Sequence, residues 1–291
     1  MKPCISQATT LSTPFEQDLT SYSRAGWTSV ELWLTKLETY LERHTVAEAK
    51  ALIDGQGLTP AAASVQGGLL LSRGVEREVH WEHFQKRLAI LNEIGVPTLI
   101  VAADFNRELS PDDYRRAAGA LAEAAETAQG YGVRLALEFQ KSARFCASLD
   151  TTVALILQSG AEGVGVCLDL FHYYTGPSKF EDLAYLTPEI LAWVQLCDLA
   201  GTPRELAADS DRIFPGEGDF QTEPFLEQLG RIGYEGYVSL EVLNPNLWQI
   251  PADRVADLGF QALGRTLGKW GAPDPRLSGA VGTQSQAEGG S

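Results

Sequence analysis

The stretch Gly163-Val-Gly-Val-Cys-Leu-Asp169-Leu-Phe-His172 decides how the rest of the chain is read. Its apolar residues do not alternate with polar ones. Such a run marks a strand buried on both faces, as in the parallel sheets of α/β proteins. The run then ends on a carboxylate. The same form appears before it, in Arg134-Leu-Ala-Leu-Glu138-Phe139, and after it, in Trp193-Val-Gln195-Leu-Cys-Asp198 and Val238-Ser-Leu-Glu241.

Working outward, eight strands are expected, at residues 3–8, 29–33, 61–65, 98–102, 134–139, 163–168, 192–196 and 236–242. Helix starts lie between them. Thr13-Pro-Phe-Glu16 and Thr45-Val-Ala-Glu48 match the capping box, in which Thr and Glu side chains satisfy free backbone N–H groups. Ser110-Pro111-Asp112-Asp113 sets a cap, a first-turn proline and acidic residues at a third start. Asp150, Thr222 and Pro251 mark others, and Gly130 and Gly132 stop the helix that begins at Pro111. A short helix is expected after Thr187-Pro188.

Strands alternating with helices give a closed barrel or an open doubly wound sheet. No Gly-x-Gly-x-x-Gly follows the first strand, where a dinucleotide-binding sheet carries it. Polar residues recur at successive strand ends, which is how barrel sites are built. The expected fold is therefore α/β, a single (β/α)8 TIM barrel over residues 1–270. The composition at 271–291 predicts a disordered C-terminal tail.

The bulk properties narrow the function. A formal charge of −15 with no Lys/Arg cluster argues against nucleic acid as a partner. No apolar run is long enough to span a membrane, and no signal peptide is read, so a cytoplasmic protein is expected. Cys4, Cys146, Cys167 and Cys197 are far apart and read as reduced thiols.

Glu138, Asp169, Gln195 and Glu241 end strands five to eight, so all four can converge at the barrel mouth. Carboxylates buried together repel one another and lose hydration. A divalent cation relieves both costs. Oxygen ligands favour one Mn2+, Mg2+ or Co2+ ion over Zn2+, with Mn2+ first.

Taken with Asp169-Leu-Phe-His172, Gln195-Leu-Cys-Asp198, Arg212-Ile-Phe-Pro215-Gly-Glu-Gly218, Ser239-Leu-Glu241 and Val30-Glu31-Leu32-Trp33, the chain resembles the sugar phosphate isomerase/epimerase superfamily. This is the xylose-isomerase-like barrel group (AP endonuclease 2-type). The resemblance covers roughly residues 1–268 and is most specific in the second half. It implies that Glu138, Asp169, Gln195 and Glu241 bind the metal and that His172 and Arg212 contact substrate oxygens. Glu31 is a candidate substrate-binding residue, with a salt bridge at the barrel floor as the alternative. The resemblance also implies proton abstraction next to a carbonyl, through a metal-stabilised enediolate, with Glu138, Glu241 and His172 catalytic. The expected substrate is a small polyol or keto-sugar, and pairing into a homo-oligomer is expected. Lys36 and Gln66 are weaker site candidates, and Trp33, Phe139, Phe171 and Trp248 are candidate pocket walls.

Gln195 stands where many sugar epimerases of the group have His. In this it is similar to lyases that dehydrate 3-dehydroshikimate, so elimination by a lyase or hydratase remains the alternative. A barrel that binds sugar without turnover is the second alternative. A DNA-repair endonuclease of this fold needs a histidine-rich zinc cluster. The chain has four histidines and no basic face, and that reading is set aside.

Overall fold

Continuous apolar strands need both faces covered, and closing the sheet on itself inside a ring of helices supplies both coverings. The structure, a computed structural model, describes residues 1–106 and 108–268 and takes this form. Eight strands close in chain order: β1 (Lys2–Ser6), β2 (Ser29–Trp33), β3 (Thr59–Gln66), β4 (Thr98–Ala102), β5 (Arg134–Glu138), β6 (Val164–Asp169), β7 (Leu191–Leu196) and β8 (Tyr237–Leu240). All neighbouring pairs are parallel, and β8 pairs back onto β1. The expected tail at 271–291 lies outside the described residues.

The helices are α1 (Phe15–Ala25), α2 (Leu34–Leu41), α3 (Val46–Gly55), α4 (Gly74–Ile94), α5 (Pro111–Gln129), α6 (Leu149–Ser159), α7 (Leu170–Thr175), α8 (Thr222–Arg231) and α9 (Ala252–Leu267). The capping box at Thr45–Glu48 forms as expected, and the cap expected at Ser110 forms as a reciprocal box with Asp113. The one expected at Thr13–Glu16 does not, because α1 starts at Phe15 behind Pro14 and has no side-chain cap. Gly132, at φ 70°, supplies the left-handed turn after α5, while Gly130 stays right-handed. The helix expected after Thr187-Pro188 is absent. That segment runs directly into β7, and the β6–β7 crossover is covered by α7 and a 3-10 turn at Phe180–Tyr185. No described helix is long and apolar enough to cross a membrane.

Inside the barrel, Cys4, Ala61, Ala62, Ile100, Ala136, Cys167 and Trp193 form a buried plug. The small residues leave room for the indole, so large and small groups interlock at native density. All four cysteines are buried and unbridged, as expected. The interior directly above this plug is polar. The register sets its members side by side, with Ala102 opposite Glu138 and Asp169 opposite Gln195.

Candidate active site

Side chains alternate along a strand, so the residue two positions beyond an inward packing residue also points inward. Ala136 is thus followed by Glu138, Cys167 by Asp169, and Trp193 by Gln195. Glu138, Gln195 and Glu241 line a cavity of about 440 Å³ with Trp33, Ser64, His172, Asp209 and Arg212. Asp169 lies just under this wall, fully buried.

Arg212 organises the centre. Although it comes from a loop, it is only 1% exposed. Its Nη1 donates to Asp169 Oδ2 at 2.7 Å and Glu241 Oε2 at 3.4 Å, and its Nη2 donates to Asp209 Oδ1 at 2.7 Å. The guanidinium carbon lies 4.6 Å from the centre of the Phe171 ring. Burial opposes the charge, but Asp169, Cys197 and Glu241 more than offset it, so Arg212 is held as a cation.

Asp198 positions the loop that carries Arg212. Its carboxylate accepts the backbone N–H groups of Leu199, Gly216, Gly218 and Phe220 at 2.8–3.0 Å. A Cβ at position 218 would collide with Leu199 O and Asp198 Oδ1, so the second glycine of Pro-Gly-Glu-Gly is required by this close approach.

Asp169 caps α7, taking the N–H of Phe171 on Oδ1 at 2.6 Å and turning Oδ2 toward Arg212. Gln140 Nε2 donates to Glu138 Oε2 at 2.7 Å. Burial and the Asp169 charge push the Glu138 carboxyl well above the usual range, against the pull of Arg212. Burial and Glu31 do the same to Glu241, again against Arg212. Burial lowers the His172 imidazole and favours its neutral form, although Asp169 acts the other way.

Glu31 is placed differently from a substrate contact. It is fully buried beneath Gln195 and accepts from Ser64 Oγ at 2.8 Å, Trp193 Nε1 at 2.9 Å and Gln195 Nε2 at 2.9 Å. It touches the cavity through Gln195. The same Gln195 nitrogen donates to Glu241 Oε1 at 2.9 Å, while Gln195 Oε1 faces the Cys167 thiol at 3.2 Å. An amide flanked by two carboxylates must turn its NH2 toward them.

The donor set fits a divalent cation. Glu138, Asp169 and His172 are buried, and each offers a ligand atom within 4.8 Å of the others. His172 Nδ1 is buried with no hydrogen-bond partner among the described residues. Glu138 and Asp169 therefore come together as expected. His172 joins them from the substrate-contact group, whereas Gln195 and Glu241 are tied to each other across the cavity.

Among the weaker candidates, Lys36 is buried away from the centre, with Nζ on Asp18 and on the carbonyls of Gln7 and Thr10. Gln66 accepts from Arg87 at 3.1 Å. Phe139 is core, Trp248 donates to Ala8 O, and Trp33 does wall the cavity. Among the wall residues that were not foreseen are two acids, Asp104 and Asp209. The strand-end rule that found Glu138 lands on Ala102 in β4, so it passes over Asp104, two residues beyond the strand.

Inosose isomerase of Halalkalibacterium halodurans is 26% identical over 261 residues, covering 87% of this chain and 92% of that protein. The 3-dehydroshikimate dehydratase of Pseudomonas aeruginosa is 27% identical over 190 residues, which is 62% of this chain and 29% of that protein. A crystal structure of IolI protein with a bound zinc atom superposes with a TM-score of 0.86 at 21% identity, covering 93% of this chain and 99% of that one, a likeness of fold. The family described as xylose isomerase-like TIM barrel matches residues 19–265, and the chain belongs to it.

Proposed function

We propose that this barrel is a divalent-metal-dependent isomerase or epimerase of a keto-polyol, working by proton transfer at the carbon next to the carbonyl. The observation that carries the reading is the pair Glu138 and Glu241. They sit on the wall of one cavity, three strands apart, and burial raises both carboxyls well above the usual carboxylate range. The relatives named inosose isomerase, aligned over most of their length, support the same reaction class.

Glu138 and Asp169 would hold the ion, with His172 beside them and Glu241 at the edge of the site; the Gln195 oxygen faces the Cys167 thiol and its nitrogen is given to Glu31 and Glu241. Bound there, the ion would supply Lewis-acid polarisation of the carbonyl, and Mn2+ is the first choice for this oxygen-rich set. The chain's own groups then do the proton work. One of Glu138 and Glu241 enters as carboxylate and takes the C–H proton, and the electron pair moves toward the carbonyl oxygen. The other enters protonated and returns a proton to the opposite face. Arg212, fixed by its acids, and neutral His172 steady the negative charge that develops on oxygen. Glu31 holds the Gln195 amide, which holds Glu241 in turn.

The test is solvent exchange. With Mn2+ in D2O, the protein is expected to place deuterium next to the carbonyl of an inosose or keto-hexose, and Glu138→Gln to lose this. No exchange across such a panel by protein that binds Mn2+ would sink the reading. A second reading, elimination of water by a lyase, is favoured by Gln195 and by the dehydratase relatives. In the same experiment it would show as an unsaturated product.

A further inference from the structure

The catalytic cavity is rich in acids. Asp104, Glu138, Asp209 and Glu241 stand in its wall, and among the described residues its one cationic side chain is Arg212. That cation is already engaged, with Nη1 on Asp169 and Glu241 and Nε and Nη2 on Asp209. A carboxylate or phosphate carried by a substrate would enter with no opposite charge to receive it. With Asp169 beneath the wall, five carboxyls surround the centre, and with one of them protonated they still outnumber the charges of Arg212 and a divalent ion.

Asp104 has an unused acceptor. The carboxylate lies two residues beyond β4, in a wall shared with a second cavity that contains Glu76, His80 and Arg87. Its Oδ2 accepts the Gly68 N–H at 2.5 Å, which fixes the group in place. Its Oδ1 is buried and meets no hydrogen-bond partner among the described residues. An unsatisfied buried oxygen is costly, and a hydroxyl donor removes that cost where a second anion adds to it.

We propose that Asp104 selects the substrate. It accepts a hydroxyl of an uncharged polyhydroxy ketone and repels carboxylated or phosphorylated ketones, so this site takes neutral keto-polyols. The inference builds on the proton-transfer reading above and names its substrate class. It sets this chain apart from enzymes that act on a dehydroshikimate-like acid.

Binding of matched pairs tests it. Ligand-observed NMR titrations with Mn2+ present would compare D-fructose with D-fructose 6-phosphate, and methyl 3-dehydroshikimate with the free acid. Each neutral member is expected to bind about tenfold or more tightly than its anionic partner, as expected for an unpaired charge brought close to fixed like charges. Asp104→Asn, which keeps an acceptor for Gly68, should narrow that gap about tenfold, and Asp104→Ala should narrow it similarly. The inference falls if wild-type protein binds the anionic members as well as the neutral ones, if neither neutral member binds, or if both variants leave the gap unchanged. Deuterium exchange reports separately on the chemistry. A preserved affinity gap without exchange would cancel the proton-transfer reading alone, and exchange without a gap would cancel the selection by Asp104 alone.

Discussion

Among the described residues, two ion clusters have both partners buried, and one of them borders the candidate site. In the first half, Lys36 and Asp18 pair at 2.5 Å with both side chains out of solvent. Lys36 has three donors, and all are used, on Asp18, Gln7 O and Thr10 O. Asp18 also accepts from Thr10 Oγ1 and Gln7 Nε2. In the second half, Arg212 meets Asp169, Asp209 and Glu241, and this cluster borders the cavity that Glu138 and Gln195 also line. The first cluster braces the β1–α1–α2 corner with every Lys36 donor used, although Lys36 also lines a separate cavity. The second borders the cavity proposed to take the reactant. Saturation of every donor is therefore a better sign of a structural role than burial or charge.

The sharpest way to test this contrast is Glu241→Gln. The amide keeps the shape but loses the proton, so turnover should fall by about two to four orders of magnitude, and metal binding should weaken. The unfolding midpoint should stay within a few degrees of wild type. Full activity in this variant would remove Glu241 from the chemistry. Lys36→Met should behave in the opposite way. Leaving Asp18 buried without its partner should cost about 3–5 kcal/mol in urea unfolding, with the folded fraction keeping its activity per molecule. A large loss of activity per folded molecule would show that the brace and the site are one unit.

Gly218→Ala joins the two behaviours, because the added methyl meets Leu199 O and the Asp198 carboxylate that seat the Arg212 loop. It should lose about 1–3 kcal/mol of stability, together with part of the turnover. Unchanged stability would mean that the loop relaxes freely. A further effect concerns pH. Burial raises Asp18 from its ordinary 3.8 to about 7, despite the opposing Lys36 charge. The folded state thus binds this proton more tightly than the unfolded one. The stabilising contribution of the protonated form is complete below pH 3.8 and is lost as pH rises through 7. The slope from this group is at most about 1.4 kcal/mol per pH unit. Urea titrations between pH 4.5 and 7.5 should show this loss in wild type and a flatter profile in Asp18→Asn. Equal profiles would mean that Asp18 stays ionised throughout.

The same contrast explains what could be read from the sequence. Glu138, Asp169, Gln195 and Glu241 each end an unbroken apolar run, so strand periodicity alone brought them to one level of the barrel. Glu31 lies in the middle of β2, and whether it faces the cavity or lies under it depends on which layer Trp193 fills, and that is decided by packing across the barrel. Asp104 follows a strand too, but the loop after it has no motif to mark it. The direction of the Gln195 amide follows from two carboxylates contributed by β2 and β8, sequence-distant partners that no local pattern reveals. The missing helix after Thr187-Pro188 has a local cause. The chain turns straight into β7 there, and Leu191 N bonds back to Thr187 O at 2.9 Å.

Asp198 has a consequence for protein engineering. One carboxylate at the end of β7 grips the chain at Leu199 and again at Gly216, Gly218 and Phe220. Residues 200–211 are therefore a cassette clamped at both borders by the same side chain. Libraries that vary the length and sequence of this cassette, while leaving Asp198 and the Pro215–Gly218 turn in place, can remodel the rim of the cavity and leave the barrel beneath it undisturbed.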